Sequence, residues 1–283
     1  MKDTAFCALE SCFIEYKDYT TLHNMPVQHY HDSYEIYFLI SGTRNHFVNG
    51  EYFRIDTGDV MLMKPFELHY STSPNQFHYE RYVLNIKKHE LMSIFTAEET
   101  EKLFDIFKYR VFHLNEIEQT ELLDLFQSAD KEKRKNHFLS EKLFKAITAE
   151  ILLFLRNIPG TKRITASPMS DNDIIRAVRY INDRYRSNIT LDDVTSHLHM
   201  SKYHFCRVFK QFTGATFLQY LNNLRLTEAH QLLLYTKKTI NEISAVTGFN
   251  STAHLTRTFN QIYGISPRSF RKIHGLQKGD TIF

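Results

Sequence analysis

Between residues 12 and 86, short bursts of aromatic and β-branched residues alternate with polar positions, which is the pattern of half-buried strands. Glu35–Ile40, His46–Val48, Tyr52–Ile55, Val60–Met63 and Tyr79–Ile86 are the clearest runs. Ser41-Gly42, Asn49-Gly50 and Thr57-Gly58-Asp59 separate them. Asn-Gly between two such runs predicts a tight hairpin, since both residues tolerate positive φ. So many short strands predict a small barrel or sandwich. From about Lys88 the period becomes helical, with helices over Glu98–Tyr109, Glu116–Ala129 and from about Asn136 to Ile158. In the last of these, Phe144, Ile147, Ile151, Phe154 and Ile158 form one seam, while Leu139, Leu143, Leu152, Leu153 and Leu155 lie off it. A helix apolar beyond one stripe must be covered on more than one side. The barrel can cover one side. Either a second copy, in a two-fold dimer, or the two preceding helices cover the other.

Pro159-Gly160 through Pro168 reads as a linker, and everything after Ser170 reads as helix. The predicted segments there are Asp171–Arg186, Leu191–His199, Lys202–Phe212, Phe217–Tyr235, Ile240–Thr247 and Thr252–Ile262. This region repeats itself. At an offset of about 50, Ser201 falls on Ser251, His204 on His254, Phe205 on Leu255, Arg207 on Arg257, Phe209 on Phe259 and Gly214 on Gly264. At an offset of about 49, Leu191 falls on Ile240 and Val194 on Ile243, so the second turn holds one extra residue. Each part has a local reason. Ser201 and Ser251 stand where helix N-caps belong. Phe205, Val208, Phe209 and Phe212 make a buried stripe. Gly214 and Gly264 stand where a left-handed residue stops a helix. The outer faces carry Lys202, Tyr203, Cys206, Arg207 and Lys210 in one unit, and Thr252, Ala253, Thr256 and Arg257 in the other. Two short helices with such a face can enter a major groove, although a stack of merely solvated helix pairs has the same pattern.

Charge supports the first reading only weakly. Residues 168–283 hold 15 Lys and Arg against eight Asp and Glu, a net of +7, while residues 1–167 hold 20 against 24, a net of −4. A basic tail on a mildly acidic body suits a polyanion, but a basic solvated face gives the same bias. Cys7, Cys12 and Cys206 show no disulfide framework and fit a reducing compartment. The N-terminus has no secretory apolar run, and no window is long enough to span a membrane, so a cytoplasmic protein is expected.

Taken together, residues 171–272 resemble the AraC/XylS family DNA-binding domain along its length. The resemblance rests on ITLDDV from Ile189, SKYHFCRVFKQFTG from Ser201, RLTEAHQLLLYT from Arg225, INEIS from Ile240 and GFNSTAHLTRTFNQIYGISPRSFR from Gly248. It implies two recognition helices in successive major grooves of double-stranded DNA. By that match Tyr203, Cys206 and Arg207 face bases in one groove and Thr252, Ala253, Thr256 and Arg257 in the other. Lys202 and Lys210 contact phosphates, and Ser201 and Ser251 stand at the helix starts. The chain departs from the family at Asn260-Gln261, where Lys is usual, and at Phe217, where many members have Pro.

Upstream, Gln28 to Gly42 contains His-x-His-x3-Glu-x6-Gly, and Gly58-Asp59 is followed by Pro65-Phe-Glu-Leu-His69. These look like the two halves of the cupin barrel signature, with His23 and Glu67 standing where Gly is usual. In metal-binding cupins the matching His29, His31, Glu35 and His69 are ligands, whereas related regulators keep such residues as an organic effector pocket. Three readings stay open: an effector pocket without metal, a metal site, or plain barrel packing. Tyr37 and Arg44 are near enough in sequence to line a pocket, while His23, His46 and His78 read as surface or packing residues.

The expected architecture is α+β. An N-terminal cupin-like β-barrel with a helical extension, residues 1–160, binds effector and dimerises. An all-α domain with two helix-turn-helix units, residues 170–275, binds DNA. The expected function is a sequence-specific transcription regulator, not an enzyme, answering to a small-molecule effector for which a carbohydrate is one candidate. Homodimerisation and contact with RNA polymerase are expected as well, and no cofactor is called for. The alternatives are a metal-dependent cupin enzyme with a nucleic-acid-binding tail, and a DNA-binding protein whose barrel only dimerises.

Overall fold

The computed structural model describes residues 12–20, 28–49, 51–73, 78–135, 137–159, 163–164 and 173–275. Its strands are β1 (Cys12–Tyr19), β2 (Tyr34–Ser41), β3 (Thr43–Val48), β4 (Glu51–Asp56), β5 (Asp59–Met63), β6 (His69–Thr72), β7 (Tyr79–Ile86), β8 (Val111–His113) and β9 (Arg163–Ile164). They form two antiparallel sheets, ordered β1-β7-β2-β5-β8-β9 and β4-β3-β6. The β3–β4 hairpin closes with Val48 opposite Glu51, and Asn49 takes the positive φ (47°) that the Asn-Gly signal predicts. Strand alternation then decides two cores. Tyr37, Leu39, Met61, Met63 and Val83 point between the sheets, where they meet Val48, Phe53 and Ile55 of the smaller one. Ile36, Phe38, Leu62 and Leu84 point to the opposite face of the large sheet, which helices cover.

Those helices are α1 (Ala97–Phe104), α2 (Glu116–Arg134) and α3 (Ser140–Asn157). The expected helix to Tyr109 instead tightens into a 3₁₀ turn at Asp105–Lys108. α2 runs to Arg134, beyond the expected Ala129, because Lys131, Lys133 and Arg134 suit a helix C-terminus and Asp130 pairs with Arg134 one turn on. α3 accordingly starts four residues later than expected, after the chain has reversed. Phe126, Phe144, Ile151, Leu152 and Leu155 are fully buried under the sheet, each contributing roughly 1.5–3 kcal/mol. Leu152 and Leu155, placed off the seam by sequence, are therefore part of it, and Leu139, Leu143 and Leu153 are exposed. The stretch read as linker is not all connector. Arg163–Ile164 returns to pair with β8 as the edge of the large sheet.

The helical region comprises α4 (Asp173–Arg184), α5 (Leu191–His197), α6 (Lys202–Thr213), α7 (Phe217–Tyr235), α8 (Ile240–Val246), α9 (Thr252–Tyr263) and α10 (Pro267–His274). α7 serves two cores: Tyr220 and Leu221 pack with the first unit, Leu226, Ala229 and Leu233 with the second. α10 is not among the expected helices. Its signal is in the sequence, since Ser266 caps it and Pro267 begins its first turn. Among the described residues no helix is long and apolar enough to cross a membrane.

Candidate effector cavity and nucleic-acid interface

Inside the sheets the side chains form two groups. The first is His29, His31, Glu35 and His69. His29 and His69 pair through their backbones, and their rings lie 4.2 Å apart, with His31 5.0 Å from His69. One ring nitrogen from each of the three histidines lies within 4.8 Å of the other two. His31 bridges Ser33 O through Nδ1 (2.9 Å) and Glu35 through Nε2 (2.7 Å). Burial alone would raise the Glu35 carboxyl, but the imidazoles, His31 foremost, outweigh it and hold it below the usual carboxylate range. His69 donates from Nδ1 to the carbonyl of Glu67 at 2.7 Å, and burial lowers its pKa. Its Nε2 is thereby left as a buried lone pair that no protein group satisfies.

The second group contains Tyr37 and Arg44, joined by His46, Ser71, Ser73, Tyr79 and Arg81. Arg44 is 1% exposed. It donates to the hydroxyls of Ser71 (2.8 Å) and Ser73, and its guanidinium lies 4.1 Å over the Tyr79 ring. His46 is buried against Tyr37, ring to ring at 4.5 Å. The Tyr37 hydroxyl and both ring nitrogens of His46 have no hydrogen-bond partner. Burial, and then the charge of Arg44, push His46 well below the usual histidine range, so it is neutral. The structure thus gathers all six sequence-derived residues, His29, His31, Glu35, Tyr37, Arg44 and His69, onto the inner side.

The helical region presents its chemistry outward. Ser201 and Ser251 accept from the backbone N–H groups of His204 and His254, and Gly214 and Gly264 close their helices at φ 73° and 74°. The turn before each outer helix also repeats, with His199 and Gly248 both at positive φ. Gly248 has a further reason to be Gly, since a Cβ would lie 2.7 Å from the carbonyl oxygens of Tyr185 and Arg186. On α6, Lys202, Tyr203, Cys206, Arg207 and Lys210 are exposed, and Lys202 also pairs with Asp192 at 2.5 Å. On α9, Ala253 and Arg257 are exposed and Thr252 and Thr256 half-buried, with Thr252 donating to Asn241 at 2.9 Å. Asn260 and Gln261 are exposed on the same helix. Phe217, the first residue of α7, is instead buried.

The two regions meet through the outer faces of the segments that carry His29, His31 and His69. His29 and His31 point inward, so Tyr30 between them points outward, where it is fully buried. Its hydroxyl meets the hydroxyl of Tyr263, the last residue of α9, and Tyr263 in turn bonds His230 Nδ1 on α7 at 2.8 Å. Phe66, beside the His69 strand, stacks edge-on to His230 at 5.2 Å, and Phe47 meets Phe212 of α6 at 4.2 Å. Tyr70 lies over Gly214 so closely that a Cβ there would come within 2.6 Å of the ring.

A family model for the AraC-like ligand binding domain matches residues 14–147, and one for a helix-turn-helix domain matches residues 194–273. The chain belongs to the AraC family. Regulatory protein PocR of Salmonella typhimurium is 31% identical over 102 residues, 36% of this chain and 34% of that protein. The match thus spans about a third of PocR's length. The HTH-type transcriptional activator RhaS of Escherichia coli is 24% identical over 260 residues, 87% of each chain. Among solved structures, the C-terminal domain of AraT, a response regulator from Geobacillus stearothermophilus, is 28% identical with a TM-score of 0.38, covering 41% of this chain and 95% of that one. The alternative of a cupin enzyme with a DNA-binding tail gives way, since the relatives of this AraC-family chain are regulators.

Three features escaped the sequence reading. His46, a surface or packing residue by sequence, packs inside, as alternation from Arg44 allows, but with both ring nitrogens unpartnered. Arg81 follows by the same rule from Tyr79 and Val83. Glu67, where Gly is usual, keeps an ordinary conformation because its neighbour Phe66 takes the positive φ (63°), and Glu67 pairs with Arg110. His78 is exposed and pairs with Asp18 at 3.0 Å, whereas His23 lies outside the described residues.

Proposed function

We propose that this chain is an effector-responsive transcription regulator, with residues 1–160 receiving a small molecule and residues 170–275 reading double-stranded DNA. One observation carries the reading: the segments that turn His29, His31 and His69 inward bury Tyr30, Phe66 and Leu68 against the helical region. A ligand that shifts the inner residues must also shift the outer ones, because alternate side chains share one backbone. Arg207 and Arg257, at equivalent outer positions, each read a base in its own groove, together with Tyr203, Cys206, Thr252, Ala253 and Thr256. Lys202 and Lys210, with the helix starts at Ser201 and Ser251, hold phosphates. Genome-wide mapping of bound sites tests this. A discrete set of sites is expected, each with two conserved blocks one helical turn (about 10 base pairs) apart. Uniform occupancy would sink the proposal.

The effector occupies the two inner groups, His29, His31, Glu35 and His69 on one side and Tyr37 and Arg44 on the other, with carbohydrate among the candidate classes. A second reading has a specific observation behind it: the three imidazoles stand close enough to share one transition ion. The bond between His31 Nε2 and Glu35 occupies one of those donors and favours the organic ligand. Elemental analysis of chelator-free protein separates the two, since a metal site requires about one equivalent per chain, lost in His31→Ala. The exposed Leu139, Leu143 and Leu153 on α3 suit a homodimer, for which Leu143→Glu in sedimentation analysis is the check. Contact with RNA polymerase and a cytoplasmic location complete the proposal.

A further inference from the structure

The second inner group has a chemical bias. Arg81 uses one terminal nitrogen on Glu15 of β1 at 2.8 Å, and its other terminal nitrogen, Nη1, is buried without a partner. Its guanidinium lies 5.8 Å from the Tyr37 ring, which adjoins His46. Three donors therefore crowd one end of the interior: an Arg81 N–H, the Tyr37 hydroxyl and one His46 N–H. Arg44 adds a second buried guanidinium, whose terminal nitrogens go to the neutral hydroxyls of Ser71 and Ser73. Both guanidiniums act on His46 and Tyr37, opposed by the carboxylate of Glu35. The first group adds an acceptor, the Nε2 lone pair of His69. Buried hydrogen bonds left unmade are costly, so the group suits a complementary molecule that makes them.

Resting on the reading of the barrel as an effector site, we propose that the effector is a small hydroxylated carboxylate. Its acid group lies against Arg81, Tyr37 and His46, and a hydroxyl donates to His69. A carboxylate is acceptor-only and complements a cluster of donors around two guanidiniums, and charge assistance makes such bonds about twice as strong as neutral ones. A neutral sugar offers the hydroxyls but no acceptor-only group for the cluster of donors.

The test is calorimetry and thermal melting of the full chain with matched pairs: glucuronate and glucose, galacturonate and galactose, gluconate and sorbitol. At least one acid is expected to bind and raise the melting temperature while its neutral twin does not. Arg81→Gln and Tyr37→Phe should each weaken that acid at least tenfold. Tyr37→Phe removes only a hydroxyl without a protein partner and keeps the test valid if Arg81→Gln fails to fold. Binding of a neutral twin as tightly as its acid, acid binding unchanged in Tyr37→Phe, or no acid bound would overturn the proposal. A neutral twin that binds and is lost in His69→Gln would reject the acid but keep the barrel as the effector site. A ligand indifferent to all three variants would reject the barrel reading itself.

Discussion

The barrel interior and the cores of the tandem helical units treat buried polar atoms in opposite ways. Between the sheets, Tyr37, His46, His69 and Arg81 each hold a buried polar atom with no protein partner, whereas in the helical region Arg271 is the one such case among the described residues. There the caps at Thr190, Ser201, Thr216, Thr239, Ser251 and Ser266 all accept from the following turn, and the cores beneath are chiefly aliphatic and aromatic. A region that tolerates unmade hydrogen bonds gives up stability that a ligand can restore. A region that satisfies its backbone, turns most charges outward and gives buried Arg225 two carbonyls is a rigid platform. On the proposed function, one domain recognises inward and the other outward.

The largest expected effect separates the two cores. Phe209→Ala should cost about 3–5 kcal/mol in denaturant melts, as a fully buried aromatic truncation does. Tyr37→Phe, equally buried, should instead raise the stability of the ligand-free chain by about 1 kcal/mol. A comparable loss in both would make the barrel interior an ordinary core. Next comes the outer surface. Arg207→Ala should cost about 1–3 kcal/mol of DNA affinity and relax preference at one base position, while leaving the melt unchanged. Binding to a randomised site library reads both, and unchanged base preference would remove the groove assignment.

The contact between the regions should respond to acid. Burial holds His230 down to about 3, against a slight lift from Asp32, with His274 and Lys87 lowering it further. Between that value and the ordinary 6.5 the unfolded or undocked chain takes up a proton that the native chain does not. Stability from this site is therefore complete above 6.5 and falls as the pH drops toward 3, by at most about 1.4 kcal/mol per unit. Melts from pH 7.5 to 5 should flatten in His230→Gln, and an identical slope would clear this residue of the effect. Tyr30→Phe keeps the ring and loses the bond to Tyr263, an expected change of about 1 kcal/mol. Its sharper readout is coupling: ligand should then change DNA affinity less than in the parent chain. The smallest effect belongs to Lys210→Ala, which should lower the slope of log affinity against log salt by about one without altering sequence preference.

Much of this molecule is legible in its sequence because the deciding physics is local. Asn49 at a two-residue turn, Ser201 and Ser251 as caps, and Gly214 and Gly264 as left-handed stops each depend on a few neighbouring backbone groups, so residue type and spacing suffice. The repeat and the inward set His29, His31, Glu35 and His69 are legible for the same reason, given strand alternation and the family resemblance. Where local signals compete, the chain beyond them decides: α2 overruns its expected end, α3 starts late, and Arg163–Ile164 joins the sheet because β8 leaves an edge to pair. Alternation says that Tyr30 opposes His29 and His31, but not that its hydroxyl meets Tyr263 some 233 residues away. Nor can it say that Arg81 of β7 and His46 of β3 close around Tyr37, or that Tyr70 lies over Gly214. Those contacts join distant segments, and they exist only once two sheets have closed and a helical domain has docked on them.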